Sequence, residues 1–173
     1  NSVVSIKNKS FSVTAEVDVP EGGAEGVIIA QGGRFGGWSV FVSGGKLKFV
    51  YNVLGIQSFA TEAESAIPAG KHQVRMEFAY DGGGLAKGGD ITLYYDGKGV
   101  GTGRVGATQP MVFSADETTD VGYESGTAVS PDYTPQSSRF TGKIHWVQID
   151  TGDDDHDHLI DPEERLRVAM ARQ

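Results

Sequence analysis

Residues 10–19 read SFSVTAEVDV, with Phe11, Val13, Ala15, Val17 and Val19 alternating with Ser, Thr, Glu and Asp. A period of two predicts a strand with one apolar face and one solvated face. VIIAQ and then the glycine-rich GGRFGG follow, before WSVFVSGGKLKFVYN. Folding that last stretch about Gly44-Gly45 sets Val42 against Leu47, Val40 against Phe49 and Trp38 against Tyr51. All six then share one face, so turn chemistry and apolar pattern predict the same register. In HQVRMEFAY, Val74, Met76, Phe78 and Tyr80 alternate again. DITLYYDGKGVG predicts a type I′ turn at Asp96-Gly97 with Leu93 opposite Val100. KIHWVQID closes the run of strands. No useful helical period precedes residue 158, which excludes helical bundles and βαβ folds and leaves a sandwich of two antiparallel sheets.

The end of the chain has a different character. In DDDHDHLIDPEERLRVAMARQ, Asp161 suits a helix N-cap, Pro162 the first helical position, and Glu163 and Glu164 the first turn. Arg172 falls in the last turn, where the helix dipole favours a cation. The expected organisation is a β-sandwich over 1–150, then an acidic linker and a short C-terminal helix over 151–173.

Composition narrows the function classes. The 173 residues suit one domain with a single core. The 25 glycines, without a collagen-like period, fit strands joined by tight turns. The net charge is −8, from 23 acids and 15 bases, and half of it falls in the last 23 residues. That balance offers no basic face to a phosphate backbone, so nucleic-acid binding is not expected. The absence of Cys excludes disulfides, thiolate-ligated zinc and thiol catalysis, without fixing the compartment. No apolar run reaches the about 20 residues of a membrane span. No signal-like segment opens the chain, the expectation for a mature or excised fragment.

Two resemblances emerge from particular stretches. Val121-Gly122-Tyr123, sixteen residues, then FTGKIHWVQI and a short Leu-Ile-x-Pro-Glu-Glu segment resemble the end of laminin G-like jelly rolls with the concanavalin A-like fold. KHQVRMEFAYDGG and ITLYYDGKGVGTG are similar to the middle of that family. His145 departs from it, standing where the pattern has a structural Asp. NKSFSVTAEVDVPEGGAEGVIIAQGGRFGGWSVFV, YNVLGI, FAYDGGGLAKGGDITLYYDGK and FSADETTDVGYESGTAVSPDY resemble the C-terminal domain of bacterial arylsulfatases, over nearly the whole chain. That resemblance implies a non-catalytic domain packed on a catalytic sulfatase domain of the same polypeptide, shaping access to its site or mediating homo-oligomerisation. The compartment would be bacterial cytoplasm or periplasm. The parent would hydrolyse sulfate esters with Ca²⁺ and a formylglycine made from a Cys/Ser-x-Pro-x-Arg segment. This chain has neither Cys nor Ser-x-Pro-x-Arg, so no catalysis is expected of it alone. The alternative is a free-standing, lectin-like carbohydrate-binding module.

Several clusters invite chemistry. Glu16, Asp18 and Glu21 are spaced as in retaining β-glucanases. In a regular strand, however, Glu21 has the opposite parity, and Pro20 begins a turn. A retaining pair needs its carboxyl groups about 5–5.5 Å apart, so these acids are expected on a solvated strand face instead. Gly101 to Gly106 spell Gly-x-Gly-x-x-Gly, but they follow a hairpin and open no helix, so they read as strand and turn. Asp116, Glu117, Asp120 and Glu124 are weak candidate Ca²⁺ ligands without EF-hand spacing, and the expectation is a solvated acidic loop without a metal. His156 and His158 sit in the acidic linker; His72 and His145 read as packing or surface residues. Arg34 and Phe35, bracketed by four glycines, are the candidate recognition residues. Either they contact the catalytic domain, a second subunit or an anionic substrate, or Phe35 caps the core and Arg34 points to solvent.

Overall fold

The computed structural model describes residues 10–33, 36–82, 87–108, 119–123, 128–130, 132–133 and 137–151. They form ten strands: β1 (Phe11–Val19), β2 (Gly26–Gly33), β3 (Gly36–Ser43), β4 (Lys46–Val53), β5 (Gln57–Glu62), β6 (Gly70–Tyr80), β7 (Gly89–Tyr95), β8 (Lys98–Val105), β9 (Thr119–Val121) and β10 (Lys143–Thr151). One sheet has the order β10-β1-β6-β7-β8, the other β5-β4-β3-β2-β9. Every pairing within them is antiparallel. The expected C-terminal helix and its acidic linker, with His156 and His158, lie outside the described residues.

The alternation in the sequence is the alternation of the core. Phe11 to Val19 at odd positions, Val74, Met76, Phe78, Ile91 and Leu93 are buried and meet Trp38, Val40, Leu47 and Phe49 of the facing sheet. Phe11 stands 5.4 Å from the Trp38 ring and 5.5 Å from Phe78, tilted as aromatic quadrupoles prefer. The indole N–H of Trp38 donates to Gln31 Oε1 at 3.0 Å, so these two buried polar groups satisfy each other. At the β3–β4 hairpin the predicted register is the observed one: Val42 faces Leu47, Val40 faces Phe49, and Trp38 faces Tyr51.

Two expectations are corrected. Leu93 pairs with Gly101, not Val100, because β8 bulges: Leu93 faces Gly101 while Tyr94 faces Gly99, leaving Val100 as the extra residue. The Val100 carbonyl is used elsewhere, accepting from Glu64 N at 2.7 Å. The second correction concerns the polar face of β1, which is solvated at Asp18 but not before it. Ser12, Thr14 and Glu16 are buried, because β1 is an interior strand flanked by β10 and β6. Arg75 lies beside it on β6, donating from Nη1 to Thr14 Oγ1 at 2.7 Å and from Nε to Glu77 Oε2 at 2.7 Å.

The second sheet is covered on both faces. Val27, Ala30, Phe41 and Val50 turn away from the main core and pack with Val129 and Tyr133. Tyr133 meets Phe41 edge-on at 5.1 Å and donates to Ser39 Oγ at 2.9 Å. The consecutive apolar residues of VIIA and VFV, which break strict alternation, mark strands buried on both faces.

Candidate functional site

The edge strands β9 and β10 border one side of the sandwich, and the chain from Ser138 to Gly142 crosses it. Backbone hydrogen bonds fix that crossing. Val27 N donates to Ser138 O at 2.7 Å, Phe140 N to Gly122 O at 2.9 Å, and Thr141 N to Glu25 O at 2.8 Å. Glycine makes the close approach possible. A Cβ on Gly26, whose φ is +110°, would stand 2.3 Å from the Arg139 carbonyl oxygen, and one on Gly142 2.5 Å from the Asp18 carbonyl oxygen.

A cleft of about 240 Å³ opens here, walled by Val121, Phe140 and Ile144 with Arg139 and His145 among its lining. His145 reaches it through a second bulge. Glu16 pairs with Trp146 and Val17 with Ile144, so His145 is the unmatched residue of β10. Bulges re-aim side chains in this way. The His145 Nε2 lies 3.9 Å from Asp18 Oδ2. The Arg139 guanidinium sits 5.9 Å from the ring centre of Tyr123, which is 42% exposed. An exposed arginine stacked on an aromatic ring retains N–H donors at its edge, a geometry suited to an oxyanion.

The residues singled out by sequence fare differently. Arg34 and Phe35 lie outside the described residues, as do Asp116, Glu117 and Glu124. The strands flanking the first two are paired up to Gly33 and Gly36. Gly32 has a φ of +92°, the positive-φ backbone anticipated for this glycine-rich segment. Asp120 lies on β9 opposite Ala30. Among the described residues no three His, Asp or Glu side chains converge as a metal site requires.

Glu16, Asp18 and Glu21 are not brought together as a glycosidase pair. Glu16 is buried between Gln73 and Trp146, Asp18 faces His145, and Glu21 sits in a turn closed by Gly23 N donating to Pro20 O at 3.0 Å. The Gly-x-Gly-x-x-Gly stretch is strand β8 running into a loop, as expected.

His72 and His145 each acquire an acid partner distant in sequence, which local reading of the chain could not supply. His72 Nδ1 lies 2.7 Å from Asp96 Oδ2 and Nε2 lies 3.1 Å from the Ala69 carbonyl. Both neighbours accept, so only the doubly protonated ring satisfies both. Burial opposes that charge, but the bonds to Asp96 and Ala69 outweigh it and raise the His72 pKa above the ordinary histidine value.

Tyr123 and Arg139 escaped the sequence reading as a pair. Their sixteen-residue separation carries no local period, although Val121-Gly122-Tyr123 and FTGKIHW, which carried the first resemblance, supply much of the cleft and its rim.

No family model matches the sequence, and no curated protein matches it. Solved structures do. Domains LG4-5 of the mouse laminin alpha1 chain align with a TM-score of 0.59 at 14% identity, over 92% of this chain and 40% of that one. The CBM40 of the Ruminococcus gnavus IT-sialidase, bound to alpha2,3 sialyllactose, aligns with a TM-score of 0.54 at 9% identity, over 95% of this chain and 83% of that one. A heptameric SAP-like pentraxin from Limulus polyphemus gives 0.49 at 14% identity, over 86% of this chain and 66% of that one. The fold is a laminin G-like, concanavalin A-like jelly roll. At these identities the likeness extends to the fold and no further.

Proposed function

We infer that this chain is a non-catalytic jelly-roll module serving a larger, arylsulfatase-like sulfate-ester hydrolase, and that it acts as an accessory unit beside the catalytic domain. The resemblance of three long stretches and the short YNVLGI to bacterial arylsulfatase C-terminal domains supports this reading of the parent. The observation that carries the non-catalytic reading is the fate of Glu16, Asp18 and Glu21: one buried, one beside a histidine, one in a turn. This chain's residues do not fit the formylglycine centre, having neither Cys nor Ser-x-Pro-x-Arg. The Ca²⁺ and formylglycine therefore belong to the catalytic domain of the parent.

A second reading, a carbohydrate-binding module in its own right, is favoured by the β9–β10 cleft, lined by an Arg139 that lies over the Tyr123 ring. The sialidase CBM40 gives a precedent for a jelly roll that accompanies a glycan hydrolase and holds a glycan itself. Reading the coding sequence upstream of Asn1 separates the two. The accessory reading expects a Cys/Ser-x-Pro-x-Arg segment in the same open reading frame, and a frame without one contradicts it.

A further inference from the structure

Among the arginines with described side chains, two are held by carboxylates. Arg75 donates to Glu77 at 2.7 Å, and Arg104 donates from Nη1 to Asp81 and to Asp90 at 3.0 Å each. Arg139 differs. Its neighbour is the Tyr123 ring, and it has no carboxylate partner among the described residues. In a chain with 23 acids and 15 bases, an arginine placed against a ring instead of an acid keeps its hydrogen-bonding edge for something else.

The backbone around it is fixed on both sides. Ser138 O accepts from Val27 N, while Phe140 N and Thr141 N donate across the sandwich, so Arg139 projects from a preorganised segment. The cleft beneath combines an apolar wall of Val121, Phe140 and Ile144 with the bulged His145. Its volume of about 240 Å³ falls below the about 300–1,000 Å³ of sites for drug-sized ligands and suits one sugar ring.

We propose that this cleft binds a pyranose carrying an oxyanion, either a sulfate ester or a uronate carboxylate. Arg139 takes two oxygens of the anion through parallel N–H donors. Tyr123 holds the guanidinium plane and adds aromatic contact. The C–H face of the sugar lies on the apolar wall, beside which His145 lines the cleft with its Nε2 turned to Asp18. The net charge of the chain does not oppose this, because exposed charges beyond a Debye length of about 8 Å are largely screened at physiological salt. The inference concerns the cleft alone and goes beyond the accessory reading: it stands or fails whatever precedes residue 1.

The test is calorimetric titration of the whole chain with glucose 6-sulfate, glucuronate, glucose and inorganic sulfate. At least one anionic sugar should bind, glucose should not bind detectably at the same concentration, and inorganic sulfate should bind more weakly than the sulfated sugar. Binding of glucose 6-sulfate alone assigns a sulfate ester, binding of glucuronate alone a carboxylate, and binding of both a site for either anion. Arg139→Ala should weaken binding by about tenfold or more, the scale of a lost hydrogen bond to a charged group. Arg139→Lys should recover only part of it, because a point charge replaces a planar fork. Arg104→Ala, whose side chain serves Asp81 and Asp90, should bind as the wild type does. Both Arg139 variants alter an exposed side chain, and an unchanged thermal melt establishes that they fold. Equal affinity of Arg139→Ala and wild type, or no preference for either anionic sugar over glucose, overturns the proposal.

Discussion

The sandwich has two sides where edge strands of its sheets come together, and they are built in opposite ways. On the side of β5 and β8 the sheets are drawn together. A Cβ on Gly101 would stand 2.8 Å from the Glu62 carbonyl oxygen, and one on Gly103 2.0 Å from Thr61 Oγ1. The bulged Val100 turns its carbonyl to Glu64 N, and the Tyr95 hydroxyl accepts from Leu47 N at 3.0 Å while donating to Ser65 O at 2.8 Å. On the side of β9 and β10 a crossing segment spans the gap and a cleft remains. Here the bulge is spent on His145, which lines that cleft. One device, an extra residue in an edge strand, joins the sheets on one side and aims a side chain on the other. The arginines follow the same division: Arg104 on β8 is locked by Asp81 and Asp90, while Arg139 rests on a ring. Bulges and glycines are thus neutral devices, and what they serve is decided by the groups brought to them.

The largest expected effect breaks the open side. Gly26→Ala places a side chain at a φ of +110° and 2.3 Å from the Arg139 carbonyl oxygen, where backbone must move. Backbone strain and overpacking together should cost about 3 kcal/mol in urea denaturation and abolish saccharide binding with it. Gly103→Val challenges the closed side. The new side chain would meet Thr61 first, Oγ1 at 2.0 Å and Cβ at 2.9 Å, with no positive φ to add strain, so a smaller loss of about 2 kcal/mol is expected from local overpacking, with binding at the distant cleft retained.

A smaller effect depends on pH. The hairpin that leads into β8 turns at Asp96, which accepts from His72 and from Gln73 N at 2.9 Å. His72 has a raised pKa in the folded state, so its contribution is fully present below its unfolded value of about 6.5 and is lost as pH rises through the folded pKa. Wild type should therefore exceed Asp96→Asn in urea midpoint at about pH 5.5, and the gap should narrow steadily towards alkaline pH. A gap independent of pH would assign the Asp96 contribution to the turn alone.

Much of the fold was legible because alternation is a local property. The Gly44-Gly45 hairpin could be registered residue by residue, since six apolar side chains had to share one face. Beyond Tyr94 the pairing of the Asp96-Gly97 hairpin was displaced by one residue because the Val100 bulge answers to Glu64, which follows β5 of the facing sheet. The burial of Glu16 and Thr14 was hidden likewise, since nothing within β1 reveals that strands flank it on both edges. The candidate site was less legible still. Arg139, Tyr123 and the bulge at His145 meet only through the crossing of the sandwich side, whereas Arg34 and Phe35 attracted notice through local glycine spacing.

The central claim is that recognition resides at the β9–β10 side and not elsewhere on the jelly roll. Amide chemical-shift mapping of the ¹⁵N-labelled chain, titrated with glucose 6-sulfate and with glucuronate, tests it most directly. The account predicts that the largest saturable shifts fall on Gly122, Tyr123, Arg139, Gly142 and His145, with Gly101, Gly103 and Arg104 unmoved. Largest shifts at the β5–β8 side, or none at Arg139 while the ligand binds, would contradict it.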